Sequence, residues 1–208
     1  MAPRKGYVPK VSQSYLDARR AQILDAAVVC FSREGFHQTT MKDIVKQSKL
    51  SPGAIYNYFE SKEQIIEAIA KERHAKERLL LTEARKNSNI ASVLERIRDA
   101  FFGELRDPNE RLRKRVSIQM WAEAQRNPRI LKIVRRGVDG PRKLLSAIIS
   151  DAQRKGEISI EVNPNAAARF MIAAFQGFVL QMEWDRKINE QPYLRLLDTF
   201  LKSLSPSV

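Results

Sequence analysis

A chain of 208 residues with 43% apolar residues is long enough for one large domain or two small ones around a real core, and its single cysteine excludes an internal disulfide or a multi-cysteine zinc site. The excess of 37 Lys and Arg over 24 Asp and Glu, a formal net charge of +13, favours an anionic partner such as nucleic acid, with a solvated basic surface as the alternative. The opening MAPRKGYVPK has no apolar run behind it, and the most apolar stretch, Met171 to Leu180, is short and holds Gln176, so neither a signal peptide nor a membrane span is expected and the chain reads as cytoplasmic.

The elements follow in chain order. Residues 1–15 read as a basic arm. Leu16, Ile23, Leu24, Ala27, Val28 and Phe31 share one face of a first helix that Gly35 can end. Cys30 lies on that face and reads as a buried structural thiol rather than a redox sensor. Thr40 with Asp43 three residues on predicts a capping box opening a second helix that turns Met41, Ile44 and Val45 inward and ends near Ser48. Ser51 as N-cap and Pro52 at the first position then open a third helix to about Tyr58, and Ser61 with Gln64 caps a fourth.

The helical pattern continues through Ile65, Ile66 and Ile69, through Val93 to Leu105, and through Leu112 to Trp121 after Pro108; further helices are predicted to begin near Pro128, Pro141, Pro164 and Pro192. Only EISIEV, Glu157 to Val162, alternates like a strand, and its position between Gly156 and Pro164 makes it a connecting loop. The predicted fold is all-α: a helix-turn-helix head over residues 16–62 and a helical effector-binding and dimerisation domain over residues 63–208.

Two short helices joined by Lys49 and Leu50 have the dimensions of a helix-turn-helix, whose second helix enters the major groove of DNA. Ser51, Pro52, Gly53 and Ala54 are small enough for close approach to bases, and Asn57, pointing away from Ile55 and Phe59, can pair with an adenine edge or bind water. Tyr56 and Tyr58 offer phenolic donors to phosphates, and Lys62 adds a charge; half-buried aromatics on an amphipathic helix would give the same two tyrosines.

The line TTMKDIVKQSKLSPGAIYNYFESKEQII, Thr39 to Ile66, closely resembles the DNA-binding signature of the tetracycline-repressor (TetR) family in its threonine, its helix-turn-helix spacing, its Tyr-x-x-Phe and its Ser-Lys-Glu. The likeness runs from about Arg20 to Ala70, and beyond it WAEAQRNP, Trp121 to Pro128, is similar to the family's regulatory domains. The resemblance implies that Thr40, Tyr56, Tyr58 and Lys62 hold DNA backbone while Ser51, Pro52, Ala54 and Asn57 face bases. Two positions depart from it: Lys49 stands where the family usually turns with glycine, and Val45 where it usually packs alanine.

The rest of the chain is left to dimerise, to sense a small molecule, or both, and the resemblance implies both. Phe101, Phe102, Leu105, Met120, Trp121, Phe175 and Phe178 are candidate effector-cavity residues, with Gln125 one turn beyond Trp121 as a partner for its indole N–H; plain core is the alternative. Leu144, Ile148, Ala167, Phe170 and Ala174 are candidates for a four-helix homodimer interface, burial within one subunit being the alternative. Arg106 to Lys143, with 12 Lys and Arg against 4 acids, reads as a solvated face or as a site for an anionic partner.

His37 and His74 are isolated, so no metal is assigned, nor any cofactor or catalytic residue, and an enzyme is not expected. The functional expectation is a regulator, most simply a repressor, released from a palindromic double-stranded operator by an effector. An architectural DNA-binding protein without effector is the alternative.

Overall fold

The computed structural model describes residues 12–86, 89–185 and 187–206, so most of the basic arm read from the sequence lies outside the described residues. Its last residues are helical, because Ser12 accepts a hydrogen bond from the Tyr15 amide and opens the first helix at Gln13. Among the described residues there are nine α-helices, one 3-10 turn and no strand. The chain forms two compact units, Met1–Ala68 and Ile69–Val208.

In the first unit, α1 (Gln13–Gln38) breaks at Gly35, whose φ of 82° and ψ of 164° are open to glycine and strained for other residues. Beyond the break the Thr39 amide and hydroxyl both return to the Gly35 carbonyl. The capping box opens α2 (Met41–Ser48) as its spacing predicts. Lys49 then takes the left-handed conformation, φ 57° and ψ 26°, that turns the chain into α3 (Pro52–Tyr56). That third helix is shorter than expected: Asn57 closes it and Tyr58 lies in the following turn.

Ile23, Leu24, Ala27 and Phe31 of α1 are buried, as are Ile44 of α2, Ile55 of α3, and Phe59, Ile65 and Ile66. Each of the larger of these side chains contributes roughly 1.5 to 3 kcal/mol by leaving water. Leu16, by contrast, is 36% exposed. Cys30 is buried as expected, and burial pushes its thiol up, away from the reactive thiolate.

The fourth helix, α4 (Lys62–Ala84), continues into the second unit, which adds α5 (Ile90–Gly103), the 3-10 turn Glu104–Arg106, α6 (Pro108–Glu123), α7 (Pro128–Arg154), α8 (Pro164–Trp184) and α9 (Glu190–Ser203). Asp107, Asn127 and Asn163 each cap a helix whose first residue is proline, where the missing N–H costs nothing.

No helix begins at Pro141. Instead α7 runs through it. A proline there removes the amide that would bond the Gly137 carbonyl, at a cost of about 3 kcal/mol in a helix interior. Gly140 just before it has no Cβ to meet the proline ring, and the buried Leu145, Ile148 and Ile149 that follow hold the helix in place.

Two cores fill this unit. One joins Leu81 and Ala84 of α4, Val93 and Ile97 of α5, Leu145, Ile148, Ile149 and Ala152 of α7, and Ala167 and Ala168 of α8. The other joins Phe102, Leu105, Phe178 and Val179, with Phe175, Tyr193, Leu194 and Leu197 against them. The EISIEV segment is a connecting loop: Ile158 plugs the first core while Ile160 is 87% exposed. Gln153 fastens the loop by donating to the Ser159 and Val162 carbonyls at 2.7 and 2.8 Å.

Candidate nucleic-acid interface and effector region

The turn between α2 and α3 is locked from several sides. The Ser48 hydroxyl donates to the Val45 carbonyl and accepts from the Leu50 amide, while Gln22 of α1 donates to the Ser48 carbonyl at 2.7 Å. Ser51 accepts from the Ala54 amide at 3.2 Å and so starts α3. Ile55 anchors the helix with no exposed surface, and its opposite face is left to solvent: Ser51, Pro52, Gly53, Tyr56 and Asn57 are exposed, Ala54 and Tyr58 half-buried. A Cβ built on Gly53 would meet nothing within 4 Å, so nothing inside the protein calls for glycine there.

Two of the residues assigned to phosphate have their donors engaged elsewhere. The Thr40 amide and hydroxyl both donate to Asp43 Oδ2, at 2.8 and 2.7 Å, so Thr40 serves as the cap of α2; these bonds hold the Asp43 carboxyl below its ordinary range. The Lys62 ammonium donates to the carbonyls of Phe36, His37 and Thr39 rather than standing free for a phosphate oxygen. Sequence reasoning passed over Lys42 and Lys46 and took Lys49 only as a turn residue; all three are exposed. Their spacing of four and three, on the side of α2 away from Ile44, was the signal.

The candidate effector residues divide. Leu105, Phe175 and Phe178 come together, and Phe101 reaches them through its ring, 5.2 Å from that of Phe175. Phe102, also a cavity candidate in the sequence, and Tyr193, which was not, complete the aromatic cluster, with rings 5.3 and 4.7 Å from Phe178 and the Tyr193 hydroxyl donating to the Ala174 carbonyl at 2.6 Å. Met120 is buried but is not among the side chains packed in this cluster, Trp121 is half-buried, and Gln125 is exposed. Ile118 is an α6 residue packed against the cluster, and Met120, two positions further on, points to another side of that helix.

Beside the cluster lies a partly buried ionic network. Lys114, 5% exposed, bonds Glu104 at 3.1 Å, and Lys76 bonds both Glu104 and Glu110 at 3.0 Å. Burial pushes the nearby Glu77 carboxyl up. The basic run is therefore not uniformly a solvated face: besides Lys114, Arg115 pairs with Glu183 and Arg106 with Glu190.

The candidate dimer residues also divide. Ile148 and Ala167 are buried in the subunit's own core, and Leu144 packs against it. Ala174 is half-buried. Phe170 is 53% exposed, and its ring lies 4.4 Å from that of Phe200 on α9.

Residues 23–69 match the family profile for bacterial regulatory proteins of the tetR family, and residues 91–206 that for the C-terminal part of BetI-type transcriptional repressors. The HTH-type transcriptional regulator UidR of Escherichia coli K12 is 27% identical over 176 residues, 82% of this chain and 85% of UidR. The solved structure of Salmonella enterica GusR has a TM-score of 0.75 at 30% identity, covering 94% of this chain and 98% of that one. SmeT, the repressor of a Stenotrophomonas maltophilia multidrug efflux pump, solved with triclosan, shares the fold at a TM-score of 0.71 and 20% identity over 82% of each chain. With more than half its length inside one repressor profile and its head inside another, the chain belongs to the tetR family of transcriptional regulators.

Proposed function

We propose that the protein is a homodimeric repressor that grips a palindromic operator with one α3 from each subunit and is released by a small-molecule effector, acting in the cytoplasm. The observation that carries this reading is α3 itself, where Ile55 is fully buried and the small or polar residues Ser51, Gly53 and Asn57 stand exposed on the other side. In this reading the exposed Tyr56, Lys42 and Lys46 hold phosphates, while Ser51, Pro52, Ala54 and Asn57 face bases.

Dimerisation is supported by α8 and α9. The second of these has no fully buried residue despite six apolar or aromatic side chains from Tyr193 to Leu201, and Phe170, Trp184 and Leu196 are 53%, 75% and 69% exposed. A second copy related by a two-fold axis would cover that face and present two recognition helices, which is why a palindrome is the matching operator. In this reading the effector binds among Phe101, Leu105, Phe175 and Phe178, joined by Phe102 and Tyr193, whose packing as one aromatic cluster supports it. SmeT, solved with triclosan, is a precedent for a small molecule on this fold.

The test combines a footprint with a mass. The protein should protect one palindromic site in a duplex selected from random DNA and run as a dimer, and Phe170→Glu with Leu196→Glu should give a folded monomer with weakened operator binding. Uniform coating of DNA by a monomer would point to an architectural protein instead.

A further inference from the structure

The break at Gly35 leaves carbonyls at the end of α1 without helical donors, since the Thr40 amide, the natural partner of the Phe36 carbonyl, goes to Asp43. One side chain collects them. The Lys62 ammonium donates to the Phe36 carbonyl at 2.7 Å and to those of His37 and Thr39 at 3.1 Å, and lies 4.7 Å from the centre of the buried Phe36 ring. An ammonium has three N–H donors, so all are engaged. The negative end of a helix and an aromatic face are both environments that favour a cation.

We propose that Lys62 is a positioning residue for DNA binding: it fastens the first turn of α4 to the corner between α1 and α2 and contacts no phosphate. The peptide it holds ends at Thr39, buried and next to the cap of α2, so the clasp fixes where α2 starts and thereby where α3 is presented. Lysine suits this cradle because its charge is compact and its three donors diverge from one nitrogen; the planar fork of arginine does not fit three carbonyls converging on a point. The contacts with DNA phosphate then fall to Tyr56, Lys42, Lys46 and Lys49, which are exposed.

The assignment rests on the DNA-binding reading of α3, and the first measurement is chosen to be independent of it. In the full-length wild-type protein without DNA, reductive methylation read by mass spectrometry should label Lys62 far more slowly than Lys42 and Lys46. Adding a duplex selected by the wild-type protein should slow Lys42 and Lys46 but leave Lys62 where it was. Rapid labelling of Lys62 in the free protein, suppressed by the duplex, would overturn the proposal.

Substitution supplies the second measurement. Below its melting transition, Lys62→Met should lose about tenfold in affinity for the selected duplex, about 1.4 kcal/mol, with the slope of log K against log salt unchanged. Lys62→Arg should not restore the loss. A phosphate contact predicts the reverse: a slope reduced by about 1 per subunit in Lys62→Met, recovered by the arginine. A folded Lys62→Met with wild-type affinity would reduce Lys62 to a stability element and sink the positioning role, and if that variant does not fold the labelling pattern decides.

Discussion

The Lys114 ammonium is held between the Glu104 carboxylate, 3.1 Å away, and the Phe175 ring, whose centre is 5.1 Å away. Burial alone would raise the Glu104 carboxyl, but Lys114 and Lys76 beside it more than offset this and hold it below its ordinary range. Removing one member of a buried pair leaves a charge without its partner, so Lys114→Met should destabilise the protein by about 3 kcal/mol, the lower end for such pairs because Glu104 keeps Lys76. Adding Glu104→Gln should recover part of that loss. Urea unfolding of the two single variants and the double variant measures it, and strict additivity would show that the pair is not coupled.

His74 gives the protein a distinctive acid response. Its imidazole meets α7 at Gly137, where a Cβ would lie 2.3 Å from Nε2. Burial, with Arg73 and Arg136 nearby, pushes it down from 6.5 to about 4. The unfolded chain therefore takes up a proton that the folded chain refuses, and stability falls as pH drops from about 6.5 to about 4. Carboxylates such as Asp43, Glu104 and Asp151, all held below their ordinary range, withdraw stability only lower in the scale. Urea unfolding between pH 7 and pH 4 should show a slope that His74→Gln flattens at its upper end. An unchanged slope in that variant would mean that His74 titrates alike in both states.

The elements legible in the sequence were those decided locally. Thr40 and Asp43 are three residues apart, and the proline after Asp107, Asn127 or Asn163 marks a helix start wherever it occurs. What misled were features settled by distant partners. Pro141 looks like another start until the packing beyond it keeps α7 whole, and Lys62 looks like a surface charge until carbonyls 23 to 26 residues earlier are brought to it. Ile148 and Phe170 are equally apolar in the sequence; only the fold turns one inward and leaves the other out.

Lys49 is the one non-glycine residue with positive φ among the described residues. Holding a side chain there costs on the order of 1 kcal/mol, so Lys49→Gly should stabilise the protein by up to about that amount, less the greater freedom glycine gives the unfolded chain. The exposed ammonium next to α3 gives a reason for lysine to stand there. The same variant should bind the selected duplex more weakly, with a salt slope lower by about 1 per subunit. A more stable protein with an unaltered slope would leave the lysine without a DNA role.

Gly53 and Asn57 test whether the exposed face of α3 reads bases. Nothing in the protein approaches a Cβ at Gly53, and its conformation is helical, so Gly53→Ala should stabilise the fold by about 0.5 to 1 kcal/mol. If DNA comes close to that backbone, the added methyl group stands in its way, and operator affinity falls while the melting temperature rises. Such an opposition of stability and binding cannot arise from damage to the fold. Gly137→Ala is the control of opposite sign, because its Cβ would collide with His74 and the protein should lose stability. Asn57→Ala should cost about 1 to 3 kcal/mol against the preferred base at its own position and little on random DNA, since an edge contact carries sequence information and a phosphate contact does not. Tyr56→Phe, losing a phosphate donor, should weaken every sequence alike. Binding of wild type and all four variants to the selected duplex, to its single-base changes and to random DNA, alongside thermal melts, separates these outcomes. Equal losses for Asn57→Ala on selected and random DNA, with Gly53→Ala binding as wild type does, would move the base-reading surface away from α3.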